Sequence, residues 1–167
     1  MIRLILLVAV LASDVSAQQL QVPGLTPDGT PDAMPACAPL PYPDQQNCTR
    51  VLACVGDDGL WFDGQARGWD EGPVFGRRND GVACVGKWSS RGLFGTGFSN
   101  LECKDGTTAQ VLYTIQDNDT GTVIGHGKDS AGRQIQVWTG LNVLEFLRSD
   151  LTGAPELPCT QGAIPIS

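Results

Sequence analysis

Few side chains in this 167-residue sequence could do chemistry. Its single histidine, His126, stands between two glycines, and a hydrolase that needs an imidazole base would have to use it. The sequence has no closely spaced pair of cysteines that could complete an ordinary zinc site with His126. Residues 125–127 (GHG) align with residues 95–97 (GTG), a position set by backbone geometry. We therefore interpret His126 as a structural turn residue and predict neither a bound metal nor another cofactor.

Carboxylates offer two other kinds of chemistry. Two facing carboxylates could form a glycosidase pair, and the candidates for such a pair are Asp57, Asp58, Asp63, Asp70 and Glu71. Their glycine-rich surroundings are more typical of solvated loops. Residues 117–121 (DNDTG) have the spacing that opens a calcium loop, but the twelfth place, which needs a bidentate Glu, is Lys128. We interpret this segment as a hairpin or Asx turn, and we predict that the protein is not an enzyme.

An export signal is predicted at the beginning of the sequence. Arg3 precedes an apolar run, residues 4–12, and small or aliphatic residues follow at 15–17, as at a signal-peptidase site. We therefore predict a signal peptide over residues 1–17 and a protein that is periplasmic or secreted from a bacterium. The apolar run is shorter than the roughly 20 residues of a membrane-spanning helix, so no membrane insertion is expected.

The charge balance excludes some partners. The sequence has 18 acidic and 11 basic residues, a formal net charge of −7 and a pI of about 4.5. A field of this sign repels phosphate backbones and anionic lipid headgroups, so we predict no nucleic-acid partner.

The chain divides into three regions after the predicted signal peptide. Residues 18–47 form a Pro-rich extended lead, which is either a spacer or a docking segment. A β domain over residues 48–150 and a C-terminal tail over residues 151–167 follow it.

Glycine-containing turns separate short apolar runs throughout the predicted β domain, a pattern typical of β-hairpins. Three segments align, 75–88, 96–113 and 124–138, each with a turn glycine and then a large aromatic residue. The aromatics, Trp88, Tyr113 and Trp138, are 25 and 25 residues apart. We predict an all-β antiparallel meander of about seven or eight short strands, stabilised by disulfides and forming a barrel or a sandwich. The clearest strands are 82–88, 98–103, 108–116, 122–127 and 134–139, whereas 142–148 could be a short helix or a last strand.

Trp138 departs from this pattern. The turn glycine precedes the aromatic residue by seven positions in the first two segments and by six in the third. A shift of one residue moves a side chain to the opposite face of a sheet. Either the third turn is one residue shorter or Trp138 points elsewhere, and a partly exposed Trp138 is one of the alternatives.

The six cysteines predict three disulfides, since an even number in an exported chain is typical of disulfide bonding. They are Cys37, Cys48, Cys54, Cys84, Cys103 and Cys159. If the chain turns near residues 93–94, facing positions have numbers that sum to 187, and Cys84 lies opposite Cys103. The other four cysteines allow three connectivities, and we favour those that attach the lead or the tail to the sheet.

Two families share parts of this pattern. The Gly-and-aromatic hairpins over residues 75–138 resemble MORN-type repeats, which stack short hairpins into a sheet. The segment 98–106 (FSNLECKDG) running into 111–113, with the late Cys159, is similar to the first hairpin and closing cysteine of periplasmic lysozyme-inhibitor domains. That resemblance implies a small β-barrel that plugs an enzyme's cleft, and it implies a Cys103–Cys159 disulfide.

We therefore expect a non-enzymatic exported β-module that binds a protein or a cell-envelope component. The alternative is a proteinaceous inhibitor of a secreted hydrolase. The expected contact element is the loop over residues 89–97, where Arg91, Leu93 and Phe94 form a candidate set of interface anchors.

Overall fold

The computed structural model describes residues 37–166, so the predicted signal peptide and most of the predicted Pro-rich lead lie outside the described residues. Eight antiparallel strands close into a barrel. They are β1 (Cys48–Val55), β2 (Leu60–Arg67), β3 (Glu71–Arg78), β4 (Ala83–Ser89), β5 (Gly97–Cys103), β6 (Thr108–Asp117), β7 (Thr122–Asp129) and β8 (Gln134–Gly140). The predicted all-β meander is confirmed, and of the two forms left open the chain adopts the barrel.

Strand β1 closes the barrel. Each other strand pairs with its neighbour in sequence, whereas β1 also pairs with β8, from Arg50 opposite Gly140 to Val55 opposite Ile135. The apolar run of residues 51–55 (VLACV) is buried on both faces. A short continuous apolar run is typical of such a strand, because neither face meets water.

The three aligned segments each lie on one hairpin: β3–β4, β5–β6 and β7–β8. The turn glycines Gly81, Gly106 and Gly132 have φ values of 89°, 81° and 82°. The amide of each donates to the carbonyl three residues earlier, at distances of 2.9, 2.9 and 3.0 Å. This is a type I turn followed by a left-handed residue, which glycine adopts without steric cost.

Alternate residues of the strands fill the barrel interior. The buried members of this core are Val51, Ala53, Val55, Phe62, Ala66, Val74, Cys84, Cys103, Val111, Ile135 and Val137. Trp88 and Tyr113 pack against the same core. The large aromatics of the first two aligned segments therefore face inwards.

Trp138 faces outwards, because its neighbour Val137 belongs to the interior. The change of face that the spacing indicated is confirmed, but partial exposure is wrong, since Trp138 is only 3% exposed. It packs in a second cluster, on the outer wall, with Val143, Leu147 and Leu157. The C-terminal residues therefore cover the face that the barrel alone would leave in water.

This cover consists of two short elements. Helix α1 (Val143–Phe146) is one turn long, and Asn142 does not cap it through its side chain but donates from Nδ2 to the Thr120 carbonyl at 3.2 Å. The tail continues into a hairpin of β9 (Glu156–Cys159) and β10 (Gly162–Pro165). Leu157 of β9 is fully buried, because this hairpin packs against β1.

Three disulfides fasten the structure: Cys37–Cys48, Cys54–Cys159 and Cys84–Cys103. The predicted β4–β5 register, with facing numbers that sum to 187, is confirmed from Cys84 opposite Cys103 to Ser89 opposite Phe98. The Cys103–Cys159 pairing implied by the lysozyme-inhibitor resemblance is wrong for this chain. Cys103 lies inside the barrel, whereas Cys159 lies on the outer wall beside Cys54. Disulfides of this number indicate an oxidising compartment.

Candidate functional site at the open end of the barrel

The two ends of the barrel differ. The turns after β1, β3, β5 and β7 lie at one end, which we call the closed end. The side chain of Arg78, which is 8% exposed, pairs there with Asp80 at 2.6 Å and with Asp105 at 2.8 Å. Arg133 pairs with the buried Asp129 at 2.6 Å. These ion pairs cover this end of the apolar interior, although the buried Arg78 NH1 has no hydrogen-bond partner among the described residues.

The charges at the closed end are held by several hydrogen bonds. The side-chain hydrogen bond from Arg78 lowers the pKa of Asp80 below its ordinary value. The pKa of Asp105 is lowered first by the hydrogen bond from the Thr107 amide and then also by Arg78. Both carboxylates are therefore stabilised in their charged forms.

Tyr113 divides the interior. With Val51 and Val74 it lines both a small cavity towards the closed end and a larger cavity towards the other end. Its hydroxyl lies 3.1 Å from Ser99 Oγ, and burial raises the pKa of Tyr113. A Cβ on Gly125 would lie 2.6 Å from the Tyr113 ring, so the ring occupies space that only glycine leaves free.

The larger cavity opens at the other end of the barrel, which we call the mouth. It has a volume of about 440 Å³. None of the described residues that line it has a charged side chain. All eight strands contribute to its wall, through Val51, Ala66, Val74, Trp88, Gly97, Tyr113, Val123 and Thr139.

Two tryptophans line the mouth. Trp88 Nε1 donates to the Arg67 carbonyl at 2.9 Å. Trp69, in the β2–β3 turn, stacks edge to face with Tyr42 at a centroid distance of 5.8 Å. The indole N–H of Trp69 is buried, and no acceptor for it exists among residues 37–166. Sequence reasoning missed this site, although a tryptophan in a tight turn was a signal that could have indicated it.

The β4–β5 connection, residues 90–96, forms part of the rim, and we call it the rim loop. Its tip is a short 3₁₀ turn, Leu93–Gly95, in which Phe94 has a φ of 59°. The base is held by hydrogen bonds from the Gly92 amide to the Thr96 carbonyl at 2.8 Å and from Thr96 Oγ1 to the Leu93 carbonyl at 2.7 Å. Phe94 is fully exposed and Leu93 is 80% exposed.

Arg91, Leu93 and Phe94, the residues predicted as interface anchors, thus lie together on the rim loop. Arg91 NH2 lies 3.5 Å from Asp70 Oδ2, and both side chains are more than half exposed. An exposed ion pair of this length contributes little to stability. The guanidinium is therefore accessible to a partner.

None of the other candidate residues lines the mouth cavity. His126 is not a turn residue as predicted: it lies exposed within β7, opposite Leu112 and Gln136. Among the acidic candidates, Asp63 pairs with Arg50 at 2.6 Å. The segment after Asp117 connects β6 to β7, which confirms the hairpin turn of the two alternatives, and Asp117 Oδ2 accepts hydrogen bonds from the amide and hydroxyl of Thr120 at 2.8 and 2.6 Å.

Residues 37–166 lack two further features. No three His, Cys, Asp or Glu side chains come together there in a group that could hold a metal ion. None of the helices in this part of the chain has the length and apolar character needed to cross a membrane.

Comparisons with known proteins give structural neighbours alone. No protein-family model matches the sequence, and no curated protein matches it. A redesigned β-barrel, mFAP1, solved bound to DFHBI, is similar with a TM-score of 0.44 and 20% identity over 57% of this chain and 94% of that chain. A fluorescence-activating β-barrel designed de novo is similar with a TM-score of 0.44 and 18% identity over 56% of this chain and 89% of that chain.

Proposed function

We propose that this protein is an exported, non-enzymatic binding module, and that its rim loop contacts a protein or a cell-envelope component in the bacterial periplasm or outside the cell. The observation that carries the proposal is Phe94. Its ring is fully exposed, and its backbone has the left-handed φ of 59° that non-glycine residues rarely adopt. Residues in sparsely populated conformations often cluster at binding sites, where the strain holds a side chain ready.

The loop is preorganised for contact. Hydrogen bonds within residues 92–96 fix its base, and the Ser90 amide attaches it to the neighbouring turn by donating to the Asp70 carbonyl at 2.6 Å. A partner would therefore lose little conformational entropy in binding this loop. Aromatic residues and arginine are the side chains most enriched among interface hot spots, and Phe94 and Arg91 are of these types.

The remaining features support a binding role in an exported protein. The three disulfides are typical of an oxidising compartment, and the sequence predicts a signal peptide at residues 1–17. Two of the candidate catalytic groups are poorly placed for chemistry, because the Asp63 carboxylate pairs with Arg50 and His126 lies opposite Leu112 on the outer wall. The net charge of −7 disfavours nucleic acid and anionic lipid as partners.

The protruding tip also favours a second candidate function, inhibition of a secreted hydrolase. Leu93 and Phe94 extend from the rim as adjacent apolar side chains, and such a pair can enter an enzyme's cleft. Under this alternative the binding surface is the same, and the captured partner is a hydrolase whose activity falls when the protein is added.

The test uses matched leucine variants. Leu93→Ser and Leu151→Ser remove the same apolar side chain from sites that are 80% and 97% exposed, one on the rim loop and the other in the C-terminal segment. The oxidised protein captures partners from a periplasmic extract, and each captured protein is then purified and titrated by calorimetry.

We expect the wild type and Leu151→Ser to bind the same partner with equal affinity. Phe94→Ser should weaken binding by about 30-fold, which corresponds to the 2 kcal/mol of an interface hot spot, and Leu93→Ser should weaken it in the same direction. Equal affinity of all four proteins would show that the rim loop is not the contact surface.

A further inference from the structure

We infer that the mouth cavity is a binding site for a neutral, largely apolar small molecule. This goes beyond the proposed function, because the ligand lies in the cavity, whose opening Phe94 and Gly95 border, whereas the proposed partner binds the outer surface of the rim loop. The inference depends on the size of the cavity and the chemistry of its wall.

The size is suitable for one small ligand. The cavity of about 440 Å³ falls within the roughly 300–1,000 Å³ of small-molecule pockets. An eight-stranded barrel is just wide enough to be filled by side chains or to hold one small ligand. Near the mouth the inward-facing residues Ala66, Gly97 and Thr139 are small, so their side chains leave the space open.

The wall selects an uncharged ligand. No described residue of the lining is charged, so an ionic ligand would lose its hydration without gaining a counter-charge. Tyr113 is the one titratable side chain among them, and its buried hydroxyl is already hydrogen-bonded to Ser99. Trp88 and Tyr113 present aromatic surface against which a planar apolar molecule can pack.

Several polar side chains of the lining are already paired. Trp88 Nε1 donates to the Arg67 carbonyl, and Asn47 Nδ2 donates to the Gly68 carbonyl at 3.1 Å. Thr49 Oγ1 and Thr139 Oγ1 lie 3.3 Å apart and bond to each other. Because these groups need no further partner, this part of the wall favours an apolar ligand.

The probe for the test is Prodan, a neutral naphthalene ketone whose emission shifts to the blue in apolar surroundings. It is compared with anilinonaphthalene sulfonate, an anion of similar size. We expect saturable binding of Prodan with a blue shift, and binding of the sulfonate that is at least tenfold weaker. Equal or tighter binding of the sulfonate would overturn the inferred neutrality of the site.

Nuclear magnetic resonance locates the bound probe in the wild type. We expect the indole N–H signals of Trp69 and Trp88 to shift on titration with Prodan. Trp61 and Trp138 belong to the outer-wall cluster and serve as internal controls whose signals stay in place. Shifts confined to the controls, or no shift at all, would overturn the inference without reference to any variant.

A cavity-filling variant gives an independent measurement. A Cβ on Gly97 comes no closer than 3.4 Å to its neighbours, so the backbone accepts a side chain here, and Gly97→Leu adds apolar volume at the mouth. Asn100→Leu adds the same side chain to an exposed position of the same strand. We expect Gly97→Leu to weaken Prodan binding at least tenfold and Asn100→Leu to leave it unchanged. Equal affinities would overturn the inference.

Different variants test the cavity inference and the proposed function, so one can be refuted without the other. Leu93→Ser changes the rim loop but not the lining of the cavity, so it should weaken partner capture and leave the Prodan affinity within threefold. Gly97→Leu should weaken Prodan binding and leave partner capture unchanged. Loss of Prodan binding in Leu93→Ser would place the probe on the rim loop and overturn the cavity assignment.

Discussion

Removal of the Cys54–Cys159 disulfide should destabilise the protein more than removal of Cys37–Cys48. The first bond joins residues 105 positions apart and the second joins residues 11 apart. A cross-link that closes a loop of 100 residues stabilises a protein by about 4.7 kcal/mol through the entropy of the unfolded chain, whereas one that closes 15 residues stabilises it by about 3 kcal/mol. We predict losses of about 4.7 kcal/mol for Cys54→Ala/Cys159→Ala and of less than about 3 kcal/mol for Cys37→Ala/Cys48→Ala.

The structural consequence should be local first. Cys54–Cys159 attaches the β9–β10 hairpin to β1, so amides of residues 156–165 should lose hydrogen-exchange protection while β4–β6 keeps it. Urea unfolding followed by circular dichroism gives the free energies, and mass-resolved hydrogen exchange gives the local effect. Equal losses in the two double variants, or unchanged protection of β9–β10, would refute the reasoning that this bond holds the tail on the barrel.

Three other perturbations follow from the same structure. Trp138→Ala should lower the free energy of unfolding by about 3–5 kcal/mol in urea titrations, because Trp138 is 3% exposed; a loss below about 1 kcal/mol would contradict its burial. Gly132→Ala should cost about 1–2 kcal/mol in the same assay, because φ is 82° and no neighbour lies within 4 Å of a new Cβ, so the cost is that of the backbone alone. Asp80 and Asp105 have lowered pKa values in the folded state, so their stabilisation is complete above the ordinary carboxyl pKa of 3.8 and is lost as pH falls through the folded-state values. As the pH is lowered below about 4, the urea midpoint of the wild type should therefore fall, and the midpoint of Arg78→Met should fall less steeply. Parallel curves of midpoint against pH would contradict this role of Arg78.

The local sequence pattern of turn glycines and apolar runs predicted the hairpins well. The turn glycines, with their fixed spacing, identified five of the eight barrel strands, and the facing numbers that sum to 187 placed Cys84 opposite Cys103. These features depend on residues close in sequence, where turn geometry determines the register.

His126 shows how the same signals can mislead. The glycines beside it indicated a turn, but they lie within β7 and are required by close packing. A Cβ on Gly125 would clash with Tyr113, and one on Gly127 would lie 1.9 Å from the Gln110 carbonyl oxygen. A single sequence does not distinguish a strand glycine of this kind from a turn glycine.

The long-range features needed the structure. Barrel closure brings β1 against β8, which are far apart in sequence, and no local motif encodes that contact. Trp138 is buried because the C-terminal residues return to cover it. The mouth also depends on long-range contacts. Its small residues carry no distinctive signal in the sequence, and they form one opening only because the closed barrel brings them together: Ala66, Gly97 and Thr139.

Site-specific photo-cross-linking in the native compartment tests the central claim that the mouth and its rim loop are the binding surface. A benzophenone amino acid replaces Phe94 on the rim loop or, as a control, the exposed Ala131 in the β7–β8 turn at the closed end. We predict a light-dependent covalent adduct with a discrete partner from position 94 and none from position 131. An adduct from position 131 in the absence of one from position 94 would contradict the account.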